Sequence, residues 1–402
     1  MEDSGTVGLM PLSRRNVLKE KQKLSKRILV YAGRFFACLG TVVAGIFLTL
    51  VLSMNVICNG GSSTAREIFV STILETGALK FLASWFLTTD EISEIVDNNS
   101  MGEFNEEVNT DLITVVAGNT GYMPSPTSSG QRTEATTTTY IGTEEQKIIE
   151  EVDEDGDGII FKTIAGRNFF GTMMIVLDPS RVTLESYFSD YGKGAPIDKI
   201  VSEYNGVAGI NGGLYHQIEA GGRPYGVTVS HGRLVTNEPK ELEGLVLIGL
   251  TYDNILVVES LSGYDKAGVE KLVADKKIRD ACCFQEEFKD ANNHFVQLVI
   301  NGKARELNGN LGSGYNPRTA IGQRADGALL LLVTDGRGAS GHLGASASDL
   351  IEVMCDFGAV NAANLDGGSS SCMVYNGEYI MESVTFRKAN TSWNLPIAFM
   401  VK

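Results

Sequence analysis

Basic residues are in short supply in this chain: 34 Lys and Arg stand against 49 Asp and Glu over 402 positions, a formal charge of −15. A nucleic-acid partner needs a concentrated basic face that displaces counterions from phosphates, so that class falls away first. Proline is sparse at 9 while glycine reaches 45, which excludes a Pro-rich linker protein and favours a turn-rich, β-containing fold over a helical bundle. The six cysteines form no CxxC pair. No histidine stands within a few residues of Cys282, Cys283, Cys355 or Cys372, which argues against zinc and leaves their redox state open; Cys282 and Cys283 are expected to pack, or to pair with distant partners. P-loop, GxGxxG and Ser-His-Asp patterns are missing. Hydrophobic residues at 43% and charged ones at 21% exclude a wholly disordered chain.

The charge deficit is uneven. Positions 1–27 carry seven Lys and Arg against three acidic residues, whereas the remainder holds 27 basic and 46 acidic. Directly after this tail, positions 35–57 hold no charged residue. At about 1.5 Å per residue such a run spans the roughly 30 Å hydrocarbon core of a bilayer. With Arg14, Arg15, Lys19, Lys21, Lys23, Lys26 and Arg27 in front of it, the positive-inside rule keeps the N-terminus cytoplasmic and sends the rest outside. The run exceeds the usual 7–15 residues of a signal-peptide core, and no small-x-small cleavage site follows, so a retained single-pass anchor is expected.

Beyond the anchor, Ile68, Phe69, Ile73, Leu74, Leu79, Phe81, Leu82, Trp85 and Phe86 recur at helical spacing, and Thr88, Thr89 and Asp90 are cap candidates for a helix over 91–96. A juxtamembrane stalk is the plain reading and a partner-binding helix the functional one. The stretch 122–139, YMPSPTSSGQRTEATTTT, cannot bury enough apolar area to offset its ordering entropy and reads as linker. From about 146 onward, β-rich runs at 173–177, 182–187, 207–210, 227–229, 245–250, 255–258, 295–300, 329–333 and 397–401 outnumber helical ones at 197–204, 265–273 and 346–357. The expected organisation is a basic tail (1–27), a transmembrane anchor (28–57), a helical stalk (58–110), a Ser/Thr-rich linker (111–145) and an α+β domain on a mixed β-sheet with a few helices (146–402).

Four clusters in the last domain join strand ends to polar residues and glycine: AGINGGLYH over 208–216, NPRTAIG over 316–322, LLVTDGR over 331–337 and VNAANLDGGSSSC over 360–372. A strand fixes a polar group in place, and glycine lets a ligand approach the backbone. A single Asp-Gly or Asn-Gly pair is ordinary turn punctuation. Asp366 followed by Gly367, Gly368, Ser369, Ser370 and Ser371 is more than that, since hydroxyls and free N–H groups after a carboxylate make an anion nest.

Together NGGLY, NPRTAIG, TDGR and NAANLDGGSSS resemble the phosphodiester glycosidase family, over roughly 159–401. The resemblance implies a hydrolase acting at a sugar–phosphate junction, and the anchor resembles surface-attached bacterial members associated with exopolysaccharide. Arg318 then becomes the candidate fork for the phosphate, although an ion pair with a buried Asp is the plainer use of such a side chain. Asp366 and Asp335 become the carboxyl pair, Asp366 as nucleophile or base and Asp335 assisting or positioning sugar hydroxyls. Asn211, Ser369 and Ser370 would hydrogen-bond phosphate or sugar, and Gly212, Gly213, Gly367 and Gly368 would permit close approach.

The expected partners are therefore a glycan or sugar-phosphodiester substrate and a membrane through 28–57. No cofactor is expected, and a divalent cation has no ligand set to support it. Asp153, Asp155 and Asp157 resemble the start of a calcium loop, yet position twelve is Ile164 where a bidentate Glu belongs, so a solvated acidic turn is the reading. His216 reads as an ordinary packing or surface residue. Two rival functions remain, a non-catalytic module binding anionic glycan and a metal-dependent phosphodiesterase.

Overall fold

The computed structural model describes residues 12–76, 79–104, 106–115, 140–141, 153, 155–188, 192–216, 222–286, 294–384 and 391–402. Most of the expected linker, 116–139 and 142–145, lies outside them. The chain divides into two units, Met1–Arg66 and Glu67–Lys402. The first holds helix α1 (Leu12–Asn59), whose Lys21–Asn59 part is long and apolar enough to cross a membrane. The boundary falls inside helix α2 (Ser63–Leu74).

The second unit is α+β, built on three sheets. The largest runs β1 (Tyr140–Ile141), β2 (Ile159–Ala165), β3 (Phe170–Val176), β14 (Leu329–Thr334), β13 (Thr319–Arg324), β15 (Ala359–Asn364), β11 (Gln297–Ile300) and β12 (Lys303–Ala304). It is mixed only through the parallel β1–β2 edge, and its other pairings are antiparallel. A second sheet orders β7 (Arg233–Asn237), β6 (Val227–Ser230), β10 (Ile278–Gln285), β8 (Leu245–Thr251) and β9 (Leu256–Ser260). A third orders β17 (Glu378–Met381), β16 (Met373–Tyr375), β5 (Ala208–Asn211), β18 (Ile397–Val401) and β4 (Val182–Ser186). The remaining α-helices among the described residues are α3 (Thr89–Asn98), α4 (Ile197–Glu203), α5 (Lys266–Asp275) and α6 (Ala347–Asp356). The three helices expected downstream of residue 146 are α4, α5 and α6.

Strand β14 shows why a continuous apolar run makes a central strand. Leu329, Leu331 and Val333 enter the core shared by all three sheets, while Leu330 and Leu332 enter a second core roofed by Leu350, Ile351, Val353 and Met354 of α6. Side chains alternate across the pleat, so a strand covered on both faces needs no polar position. Each such leucine contributes about 1.5–3 kcal/mol by leaving water. Helix α6 begins where Ser346 and Asp349 form a capping box, and α3 begins where Thr88 and Glu91 do the same. Both satisfy N–H groups that a helix start leaves unpaired.

From Glu67 on, the segment expected as a stalk packs against the sheets. Phe104 joins the shared core and Met101 the α6-side core. Gly102 N–H donates to Glu306 O (2.8 Å) and Arg305 Nε donates to Gly102 O (2.7 Å); Thr114, at the start of the stretch expected as linker, also donates its N–H to Ala325 O (2.8 Å).

The register brings four strand ends to one edge of the large sheet. Phe170 opens β3, Asp335 follows β14, Arg318 precedes β13, and Asp366 lies two residues past β15. In the third sheet Asn211 closes β5 beside Ala398, and Cys372 precedes β16. Three of the four sequence clusters thus share one sheet edge, and the fourth meets them from the neighbouring sheet.

Candidate active site

Asp366 is pinned by its backbone. Its N–H donates to Gly212 O (3.3 Å) and its carbonyl accepts from Asn211 Nδ2 (2.6 Å). Asn211 Oδ1 accepts in turn from Thr319 Oγ1 (2.7 Å) and from Cys372 N–H (3.2 Å). Only 1% exposed, Asn211 spends its amide joining two sheets and holding Asp366 in register. It positions the site from behind.

Asp366 as a residue is half-buried, and protein surrounds its carboxyl. Burial pushes its pKa up to about 7, against the opposing pull of the Ser370 hydroxyl, the Gly367 N–H and the Arg337 guanidinium. Ser370 Oγ also lies 3.3 Å from the Tyr215 hydroxyl, whose pKa is raised by burial and by the nearby Asp366 charge. A carboxyl titrating near neutrality, with a hydroxyl network behind it, suits proton transfer at physiological pH.

Beside it stands Arg337. Its Nη1 donates to Ser369 Oγ (2.7 Å) and its Nε to Asn316 Oδ1 (2.9 Å), and one face of the residue stays open to solvent. The backbone at Arg337 has φ +53°, in the left-handed region that non-glycine residues seldom adopt. Strain of this kind costs about 1–3 kcal/mol and gathers at functional sites. Gly368 completes the fit: φ is +63°, and a Cβ there would lie 2.5 Å from Arg337 Nη2. The close approach that this glycine permits is by the protein's own guanidinium. Likewise a Cβ on Gly213 would meet Cys283 O at 2.2 Å, one on Gly367 would meet Pro317 O at 2.9 Å, and one on Gly212 would crowd Ile397 at 3.1 Å. These three glycines seat strand ends against each other.

Arg318, expected to offer its fork to phosphate, is buried and has Nη2 and Nε engaged by the protein. Its Nη2 lies 3.1 Å from Glu75 Oε1 and also donates to Gly314 O (2.8 Å) and Ser313 Oγ (3.1 Å), while Nε donates to Ala345 O (3.3 Å). The two side chains are 5% and 6% exposed. Glu75 also accepts from Gly314 N–H (3.2 Å), and burial raises its pKa despite Arg318 beside it. The ion pair with a buried acid is what the structure contains, and the acid comes from beyond the end of α2. The solvent-facing guanidinium of this corner is Arg337.

Asp335 is likewise engaged. Oδ1 accepts from Phe170 N–H (2.7 Å), and Oδ2 bonds His342 Nδ1 (2.7 Å). Strand β13 separates the ends of β14 and β15, so at about 4.8 Å per strand the backbones of Asp335 and Asp366 lie roughly 10 Å apart. They flank the guanidinium corner from opposite sides.

Other candidates stay outside this network. The ligand oxygens of Asp153, Asp155 and Asp157 lie within 4.8 Å of one another. Asp153 accepts from the N–H groups of Gly156 and Gly158, Asp157 accepts from Ile159 N–H and the Tyr375 hydroxyl, and Arg181 bonds the Asp157 carbonyl. His216 stacks on Tyr225 and bonds Glu241 (2.9 Å). Cys282, Cys283 and Cys372 are buried free thiols; burial, the largest influence on each, raises all three and pushes Cys283 and Cys372 up to about 12.

Sequence reasoning gave no role to Arg337, Tyr215, Asn316 or Glu75, and counted His342 only among the scattered histidines. Three of these sit inside the motifs themselves: Tyr215 in NGGLYH, Asn316 in NPRTAIG and Arg337 in TDGR. Glu75 and His342 carry no local signal.

Residues 204–402 match the family model described as phosphodiester glycosidase. Among curated proteins, the chain is 38% identical over 98 residues to the SPbeta prophage-derived protein YomE of Bacillus subtilis (strain 168), covering 23% of this chain and 15% of that one. It is 28% identical over 232 residues to N-acetylglucosamine-1-phosphodiester alpha-N-acetylglucosaminidase of Bos taurus, covering 50% of this chain and 42% of that one. The chain therefore spans less than half the length of either relative. Among solved structures, the zebrafish N-acetylglucosamine-1-phosphodiester alpha-N-acetylglucosaminidase catalytic domain, auto-inhibited by its pro-peptide, aligns at TM-score 0.46 and 18% identity over 60% of this chain and 81% of that one. An exported protein of Burkholderia pseudomallei K96243 aligns at TM-score 0.37 and 17% identity over 58% and 74%. The phosphodiester glycosidase family model thus accounts for residues 204–402, just under half of the chain.

Proposed function

We propose that this chain is a membrane-anchored hydrolase that cleaves a glycosyl phosphodiester at its sugar-1-phosphate linkage, in surface or extracellular glycan. The observation that carries the reading is the meeting of Asp366, with its pKa near 7, and the Arg337 guanidinium around Gly368 and Ser369. A phosphodiester brings one negative charge, which a half-open guanidinium receives bidentately. The Ser369 hydroxyl, held by Arg337, adds a donor to the same oxygens. Asp366, partly ionised at neutral pH, takes the proton of a water attacking the anomeric carbon. The C–O bond breaks, and its electron pair leaves with a phosphomonoester of low basicity. With both Asp335 oxygens already bonded, Asp366 is the carboxylate assigned to that step.

The anchor rests on the uncharged run at 35–57 behind a basic tail, which sets the N-terminus inside and the hydrolase domain outside. Protease shaving of intact cells checks this part: the C-terminal domain is released while the tail stays protected. The activity is tested with full-length protein in detergent on an N-acetylglucosamine 1-phosphodiester. Asp366→Asn and Arg337→Ala each lose at least about a hundredfold in kcat/KM with folding retained. Turnover near wild type in either variant removes the assignment.

A further inference from the structure

Asp335 reaches the sheet edge with no free oxygen, and what it holds is a histidine. A carboxylate only accepts, so His342 Nδ1 carries the hydrogen of the 2.7 Å bond and Nε2 points to the far side of the ring. Among the described residues, His342 Nε2 makes no hydrogen bond. The ring is steadied by an edge-to-face contact with Phe170, centroids 4.4 Å apart at 83°, and the Phe170 N–H bonds the other Asp335 oxygen. This is a carboxylate-oriented imidazole, locked by two contacts from one neighbour. Its side chain is 20% exposed, so the free nitrogen is within reach of solvent and ligand.

The same loop carries Arg337. Arg337 N–H donates to Leu343 O (3.0 Å) and Gly338 N–H donates to His342 O (2.7 Å), which puts His342 one rung from the arginine across a tight hairpin. Across the sheet edge the order is then Phe170 with His342 and Asp335, next the guanidinium corner, next Asp366. A phosphate on Arg337 would have Asp366 on one flank and the imidazole on the other.

We propose that His342 is a catalytic proton donor to the phosphate oxygen that departs from the anomeric carbon, with Asp335 as its positioning residue. This rests on the hydrolase reading above. The step balances without a co-reactant. Water oxygen bonds the anomeric carbon, the carbon–oxygen bond to phosphate breaks, its electron pair takes the Nε2 proton of the doubly protonated ring, which is left as neutral imidazole with Nδ1–H still on Asp335, and Asp366 receives the proton of the water. Proton exchange with solvent resets both groups. Because a phosphate leaving group is weakly basic, the donor is worth the low end of general-acid catalysis, on the order of a hundredfold.

The test is steady-state kinetics of the full-length protein on an N-acetylglucosamine 1-phosphodiester, with thermal midpoints recorded for each variant. His342→Ala loses about a hundredfold in kcat with KM within about threefold, and added imidazole restores part of kcat. His342→Gln keeps bulk and a bond to Asp335 but no transferable proton, and it is as slow as His342→Ala. Asp335→Asn loses about tenfold, and imidazole does not restore it. Wild-type kcat in His342→Gln, or a loss in His342→Ala that imidazole leaves untouched, overturns the proposal. Failure of the unmutated protein to turn over removes the hydrolase reading and this step with it, whereas wild-type turnover with unaffected histidine variants removes this step alone.

Discussion

Glu75 and Arg318 form a buried ion pair, 3.1 Å apart, between the residue just past α2 and the residue before strand β13 of the large sheet. Two charges withdrawn from water in this way are tolerated only together. Arg318 therefore serves the fold as a clamp on residues 313–315, to which both partners also bond, and leaves anion contact to Arg337. Thr72 strengthens the same clamp by accepting from Tyr315 N–H (3.4 Å).

Removing one partner should cost more than the pair is worth. Glu75→Ala is expected to lose about 3–5 kcal/mol by leaving a buried guanidinium uncompensated, with Glu75→Ala/Arg318→Met recovering much of it. Urea unfolding of the single and double variants measures both, and additive losses would contradict a coupled pair.

The pH dependence of stability follows from Asp366. Its folded pKa of about 7 stands above the unfolded value near 3.9, so the folded state favours the protonated form. The stability this gives is fully present below pH 4 and is lost as pH rises through 7. Asp366→Asn should therefore melt higher than the wild type at pH 8, by about 1–3 kcal/mol, with the difference vanishing near pH 4. Melting curves at the two pH values decide it, and equal midpoints at pH 8 would contradict a burial-raised carboxyl.

Gly368→Ala places a methyl against Arg337 in a left-handed backbone position. The expected cost is about 1–3 kcal/mol together with loss of turnover, since the guanidinium must shift. Gly377→Ala is the control: its φ is also positive, at +81°, but no atom lies within 4 Å of the added carbon. That variant should show a backbone cost with turnover intact, and equal activity in the two would remove the steric argument.

What the sequence made legible was local. An apolar run such as 329–333 followed by Thr-Asp-Gly-Arg announces a buried strand delivering polar groups, and β14 does so. The capping residue Thr88 was readable because a cap is settled within three or four positions. Division of labour between two arginines was not readable. Arg318 and Arg337 look equivalent in their motifs, and the difference lies in Glu75, which reaches Gly314 from 239 positions away. Asp335 shows the same limit: its place at a strand end is local, but one of its two bonds comes from Phe170, 165 positions away. The stalk-like spacing of 67–86 signalled helix, yet which surface it covers depends on contacts that no window of sequence contains.

On the function proposed above, Asp366 and Arg337 act together on the carbon–oxygen bond of a glycosyl phosphodiester. Hydrolysis of an N-acetylglucosamine 1-phosphodiester in heavy-oxygen water, with mass analysis of both products, tests it most directly. Label is expected in the sugar hydroxyl and none in the phosphate, with product lost in Asp366→Asn; label in the phosphate, or unchanged product in that variant, rules out joint action of the two residues at the carbon–oxygen bond.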